Sequence, residues 1–203
     1  MDRKTHWDNI YSAKAPHQLS WYQAHPEISL RLIADSGVGK DAALIDIGGG
    51  ASLLVDKLVG AGYSKVTVLD VSPAAIAAAQ ARLGWRAGEV RWLAQDVTTF
   101  APTEKFALWH DRAVFHFLSE PADRQAYLAA AQAALPPGGQ LIIATFAPDG
   151  PEMCSALPVV RYGAESLAKE VGEGFELLES CGETHLTPGG VKQSFSYCRF
   201  RRR

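Results

Sequence analysis

The chain has 203 residues, 47% of them hydrophobic and 21% charged, with a formal net charge of −2. That is the size and balance of one globular domain whose core needs no metal or disulfide staple, and it excludes a disordered or fibrous chain. The small net charge gives no electrostatic basis for binding nucleic acid. Cys154, Cys181 and Cys198 have no paired spacing, so neither a disulfide framework nor a CxxC zinc site is expected, and a reduced, cytoplasmic setting is. The opening "MDRKTHWDNIY" lacks the apolar core of a signal peptide. No stretch reaches the roughly 18 apolar residues of a membrane span.

In chain order, residues 1–40 cluster Trp7, Tyr11, Trp21 and Tyr22 and read as a helical cap. From residue 41 short apolar runs alternate with Ala/Leu-rich helical runs. "AALIDI" (42–47) predicts a buried strand, followed by "GGG" and a helix starting near Ala51. "KVTVLDV" (65–71) predicts a second strand. Ser72 as N-cap, Pro73 in the first turn and Gly84 as the stop frame the helix after it. Strands follow at 89–96 and 105–111, then a helix closed by "PPGG" and a fifth strand at 140–146. Pro148, Pro151 and Pro158 make the next segment, to Tyr162, an ordered non-helical loop. "FELLESCGETHL" and "KQSFSYCRF", joined by "TPGG", predict a closing hairpin, with the basic "RFRRR" as a solvated tail. Strict alternation implies a parallel sheet with helices on both faces, and the hairpin makes one strand antiparallel.

In such a sheet ligands bind outside the carboxyl ends of the strands. There the chain places Asp46 and the glycines Gly48, Gly49 and Gly50, then Asp70 with Val71, and Asp96 with Val97. Glycines let backbone approach a ligand closely; Asp70 is placed for a ribose diol and Asp96 for an adenine amino group. The third glycine of a dinucleotide fingerprint is replaced by Leu53, which weakens NAD, and there is no P-loop. "LIDIGGGAS", "VLDVS", "AQDV" and "LPPGGQLII" together resemble the class I S-adenosylmethionine-dependent methyltransferases. The resemblance implies a single α/β, three-layer Rossmann-like domain with seven strands in the order 3-2-1-4-5-7-6, strand 7 antiparallel. It also implies S-adenosyl-L-methionine as cofactor, S-adenosyl-L-homocysteine as product, and the acids and glycines above as the cofactor site. "HWDNIY", with Trp7 and Tyr11, is similar to the W-(D/E)-x-x-Y opening of small-molecule members, and Tyr11 and Trp21 of the cap are expected at the cofactor site.

The run "WHDRAVFHFL" (109–118) falls at the end of strand four, on the floor of such a site. Its surroundings resemble the matching segment of thiopurine S-methyltransferase-like enzymes, with His110 as an extra residue. A nucleophile that arrives protonated needs a base, for which His suits best. His110 is the first choice before His116, His25 and His185, and His110 and Asp111 are expected to face cofactor and acceptor while Trp109, Phe115 and Phe117 pack inward. Tyr22, Arg112, His116, Cys154 and Arg161 are the expected acceptor-side residues. A [DN]-PP-[YF] motif is missing, which argues against adenine, cytosine or glutamine as substrate, and no metal is expected. The resulting expectation is a monomer or weak dimer that methylates a small molecule on S, N or O. Alternatives are a protein-lysine methyltransferase, an NAD(P)-dependent oxidoreductase and a non-catalytic nucleotide-binding module.

Overall fold

The computed structural model describes residues 2–203. Five parallel strands form first: β1 (Leu44–Ile47), β2 (Val66–Asp70), β3 (Val90–Ala94), β4 (Leu108–Arg112) and β5 (Gln140–Phe146). A two-stranded hairpin, β6 (Met153–Cys154) and β7 (Leu157–Pro158), interrupts the loop that follows. Its turn residues Ser155 and Ala156 have φ of 51° and 62°, the left-handed pair that a tight hairpin demands. The chain ends in β8 (Phe175–Leu186) and β9 (Lys192–Arg202). The main sheet runs β3-β2-β1-β4-β5-β9-β8, with β9 antiparallel to both neighbours, which is the expected order once the small hairpin is set aside.

Helices α1 (Arg3–Ala13), α2 (Glu27–Asp35), α3 (Leu54–Gly60), α4 (Pro73–Leu83), α5 (Pro121–Ala134) and α6 (Ala164–Val171) complete the chain. Ser72 caps α4 by accepting from the Ala75 N–H, and Gly84 ends it at φ 60°, as its sequence requires. The period of two along each buried strand divides the core. Ile45, Ile47, Trp109, Leu141 and Ile143 pack with α5 and α6 on one face. Leu44, Leu108, Ile142 and Ala144 pack with α2 and α3 on the other.

Three expectations need correction. Helix α3 begins at Leu54 rather than near Ala51, because the chain first makes a turn in which the Ser52 N–H donates to the Gly49 carbonyl at 2.8 Å. Helix α2 buries Ser29, Leu32 and Ile33 and belongs to the packed layer, so less of the first 40 residues forms a cap. The "RFRRR" ending is no solvated tail. It continues β9, where Arg199 pairs with Glu179 and Arg201 with Glu176.

Candidate active site

The site grows from the turn after β1. Gly48, at φ +65°, donates its N–H to the Leu69 carbonyl at 2.7 Å, and a Cβ there would overlap Val114. At Gly50 a Cβ would lie 2.5 Å from Asp70 Oδ2, so the bare backbone rests directly on that carboxylate. Asp70 is 5% exposed; its Oδ1 accepts from the Ser72 N–H at 2.8 Å. Burial, reinforced by nearby Asp46 and Asp8, pushes its carboxyl up to about 7 against the pull of the Ser72 and Gly50 N–H groups. Asp96 behaves oppositely. Burial works against its charge, but the Thr98 N–H and hydroxyl at 2.8 Å and Arg3 at 3.1 Å outweigh it and hold the group below the usual carboxylate range.

A cleft of about 810 Å³ opens over these strand ends. Its wall includes Gly48, Asp70, Val71, Asp96 and Val97 from the strand ends and the apolar Trp7, Trp21, Phe117, Phe146, Phe195 and Cys154, with Tyr11, Arg112 and Ala113. Trp7 meets Trp21 and Phe117 edge-on at 5.7 and 5.0 Å between ring centroids, and Tyr11 meets Trp21 at 6.1 Å. Helix α1 is tied down beside it, since Asp8 accepts from the Ser72 hydroxyl at 2.6 Å and Arg3 bridges Asp96 and Asp123. Arg112 donates to the Tyr197 hydroxyl at 2.7 Å and the Trp21 carbonyl at 3.1 Å, and its guanidinium lies 4.3 Å from the Phe195 ring centroid. Burial pushes the Cys154 thiol up and keeps it protonated.

A second cavity of about 560 Å³ lies against the other side of the glycine turn. Asp46, Gly48, Gly49, Tyr22, Ser29 and His110 line it, and Tyr11, Trp21 and Arg112 border both cavities.

The expected orientation of the 109–118 run divides by strand parity. β4 pairs in register with β1, setting His110 beside Asp46 and Asp111 beside Ile47. His110 therefore turns toward Asp46, with Nδ1 2.6 Å from Asp46 Oδ1 and Nε2 2.9 Å from Ser29 Oγ. It borders the second cavity, not the first. Asp111 turns to the opposite face and lines neither cavity, contrary to expectation. Fully buried, it accepts from the Val114 and Phe115 N–H groups at 2.9 and 3.1 Å and from the Tyr127 hydroxyl. Its carboxyl is pushed up to about 7 by that burial. The group thus pins the turn in which Ala113 sits at φ 71°.

His116 is likewise fully buried outside the cleft, where Nδ1 accepts from the Phe146 N–H at 3.2 Å and burial lowers its pKa to about 3. Arg161 braces its own loop through the Gly150 carbonyl and Glu152 instead of lining the cleft. Phe117, expected inward, is in the cleft wall. His25 lines neither cavity, and His185 holds the Ser20 carbonyl at 2.7 Å. Sequence reasoning missed Arg3, Ser29 and Phe195. Only Phe195 had a signal, as an inward position of the closing hairpin.

Comparison with known proteins supplies the fold family. The family model for a methyltransferase domain matches residues 44–139, the segment that carries the glycine turn and all three strand-end acids. That segment thus matches a methyltransferase domain, and the whole chain has the fold of the class I S-adenosylmethionine-dependent methyltransferases. No curated protein matches this chain in sequence. Among solved structures it resembles one described as converting a disulfide bond into a thioacetal group during echinomycin biosynthesis, with a TM-score of 0.80 and 21% identity over 98% of this chain and 92% of that one. The N-methyltransferase NodS from Bradyrhizobium japonicum, solved with S-adenosylhomocysteine, gives 0.76 and 21% over 99% of both chains. The 1,6-didemethyltoxoflavin-N1-methyltransferase from Burkholderia thailandensis, solved with 1,6-didemethyltoxoflavin and S-adenosylhomocysteine, gives 0.70 and 21% over 98% and 83%. This chain's own residues fit S-adenosylmethionine. The cradle over Asp70 is one a Cβ would fill, and Asp46 Oδ2 is buried with no hydrogen-bond partner.

Proposed function

We propose that the enzyme methylates a small, flat-faced molecule through an S, N or O nucleophile held against the aromatic residues of the larger cleft. The observation that carries this reading is that a single cleft is lined both by Asp70 and Asp96 and by Trp21, Phe117, Phe146 and Phe195. When bound, S-adenosylmethionine supplies an electrophilic methyl group. Asp70 is suited to hold the ribose hydroxyls, Val71, Asp96 and Val97 to frame the adenine, and Asp46 with the glycine turn to hold the amino-acid end. The aromatic walls and the α1 cap exclude water and fix the acceptor's plane, and such placement is the main demand of the reaction. With His116 neutral and outside the cleft and Cys154 protonated, the site favours an acceptor whose lone pair is already free: a thiolate, an amine or an ionised hydroxyl. The small acceptor solved in the Burkholderia thailandensis structure is consistent with this reading.

The test is a panel of planar aromatic thiols, amines and phenols beside lysine-containing peptides, with S-adenosylhomocysteine release followed by mass spectrometry. Turnover is expected with the small acceptors. Phe195→Ala should lower kcat/KM by about tenfold or more, the scale of a lost aromatic contact, with S-adenosylhomocysteine affinity retained. Preferential methylation of the peptides would replace this reading with protein-lysine methylation.

A further inference from the structure

Ser29 on α2, His110 on β4 and Asp46 on β1 form one buried hydrogen-bonded chain. His110 Nδ1 is 2.6 Å from Asp46 Oδ1, and Nε2 is 2.9 Å from Ser29 Oγ. The side chains of His110 and Asp46 are 2% and 3% exposed and Ser29 is 1% exposed, so solvent does not compete for these bonds. A neutral imidazole that donates from Nδ1 to the carboxylate and accepts at Nε2 from the Ser29 hydroxyl satisfies both ring nitrogens. One oxygen of Asp46, Oδ1, is thereby held by the imidazole. Its other oxygen, Oδ2, has no partner, is buried, and lies where a Cβ on Gly49 would collide with it. A buried carboxylate oxygen with no donor is costly and points to a missing N–H or O–H group.

We propose that Ser29, acting through His110, fixes the rotation of Asp46 and so presents Oδ2 to a cationic N–H donor of the bound cofactor. Cofactor affinity then depends on how α2 is seated. The inference rests on the reading that S-adenosylmethionine occupies these cavities. Ser29 and His110 are positioning residues here and Asp46 is the contact. Holding one oxygen of a carboxylate leaves the other in a single direction, as the partners of metal-binding carboxylates do. Release of Ser29 frees the imidazole to turn, and the carboxylate with it. Helix α2 is a suitable reporter, because Trp21 and Tyr22, just before it, line the same cavity as His110.

The test titrates S-adenosylhomocysteine calorimetrically into full-length wild type, Ser29→Ala, Asp46→Asn, the double variant, His110→Asn, and Ser29→Ala with His110→Asn. Asparagine at 110 can still donate to Asp46 but is too short to reach Ser29. Ser29→Ala is expected to weaken binding about fivefold or more, the scale of coupled neighbours. It should add nothing in either the Asp46→Asn or the His110→Asn background. Bound ligand should also slow amide exchange in α2 in wild type but not in His110→Asn, a readout independent of turnover and of any acceptor. Additive losses, or unchanged affinity in a Ser29→Ala protein that melts like wild type, would overturn the coupling while leaving the cofactor reading intact. Wild type that fails to bind S-adenosylhomocysteine would overturn the cofactor reading itself.

Discussion

Asp70 carries opposite obligations to folding and to binding. Its carboxyl is pushed up to about 7 in the folded protein by burial, against an ordinary value near 3.8. The folded state therefore holds a proton that the unfolded state has lost between those values. The stability this group contributes is present in full below about pH 4 and disappears as pH rises through about 7. Asp70→Asn should raise the ligand-free stability at pH 8 by roughly 1–4 kcal/mol, an order-of-magnitude figure from the shift. Urea melts at pH 5 and pH 8 check this, with a smaller gain expected at pH 5. Binding has the reverse sign, because only the ionised carboxylate accepts from two ribose hydroxyls. S-adenosylhomocysteine affinity should climb with pH up to about 7 and level off above it, falling by about tenfold per unit well below that point. Calorimetry across pH 5–8 reads it, and a flat profile would exclude Asp70 as the titrating group. Asp111, also raised to about 7, holds only backbone and Tyr127. Asp111→Ala should cost about 2–4 kcal/mol of stability by leaving buried donors unsatisfied, measured by the same melts.

At the scale of elements, the strands and the capping of α4 were legible because each rests on a local signal: apolar runs, Ser-Pro starts and glycine stops; the strand order was legible only through the family resemblance. What remained hidden was parity. Trp109 and Asp111 share one face of β4 and His110 the other, and only the pairing of His110 with Asp46 fixes which face is which. The same limit explains the basic ending. Phe195, Tyr197 and Phe200 are buried against the core, and β9 runs on through Arg202, with Glu176 and Glu179 on the other arm of the hairpin, β8, supplying partners for Arg201 and Arg199. The cap was visible in its aromatics, but the bond from Ser72 to Asp8 joins residues 64 apart in the chain and had no local trace. Asp8→Ala should loosen α1 and weaken S-adenosylhomocysteine binding by about threefold to tenfold, the range of a charged hydrogen bond partly exposed to water. A change in affinity confined to the acceptor would instead separate α1 from the cofactor. Ala113, at φ 71° beside the cleft, should accept glycine with a gain of about 0.5–1 kcal/mol in melts, since glycine relieves the left-handed strain.

For the whole molecule, the α/β sheet brings two kinds of surface to one end. The parallel strands β1 to β3 deliver acids and bare glycine backbone; the α1 cap, the hairpin loop after β5 and the closing strand β9 deliver Trp7, Cys154 and Phe195. Neither set closes a pocket alone. That division explains why the residues proposed for the cofactor lie in local sequence motifs, while those proposed for the acceptor sit on elements distant in the chain that converge only after folding. The central claim is that the strand-end acids hold S-adenosylmethionine. Its most direct test is calorimetric titration of S-adenosylhomocysteine into wild type and Asp70→Ala at pH 8, where the carboxylate is ionised. One-to-one binding that weakens by about tenfold or more in the folded variant, the scale of a charged hydrogen bond, is the predicted result. Equal affinity in the two proteins, or no binding in wild type, would contradict it.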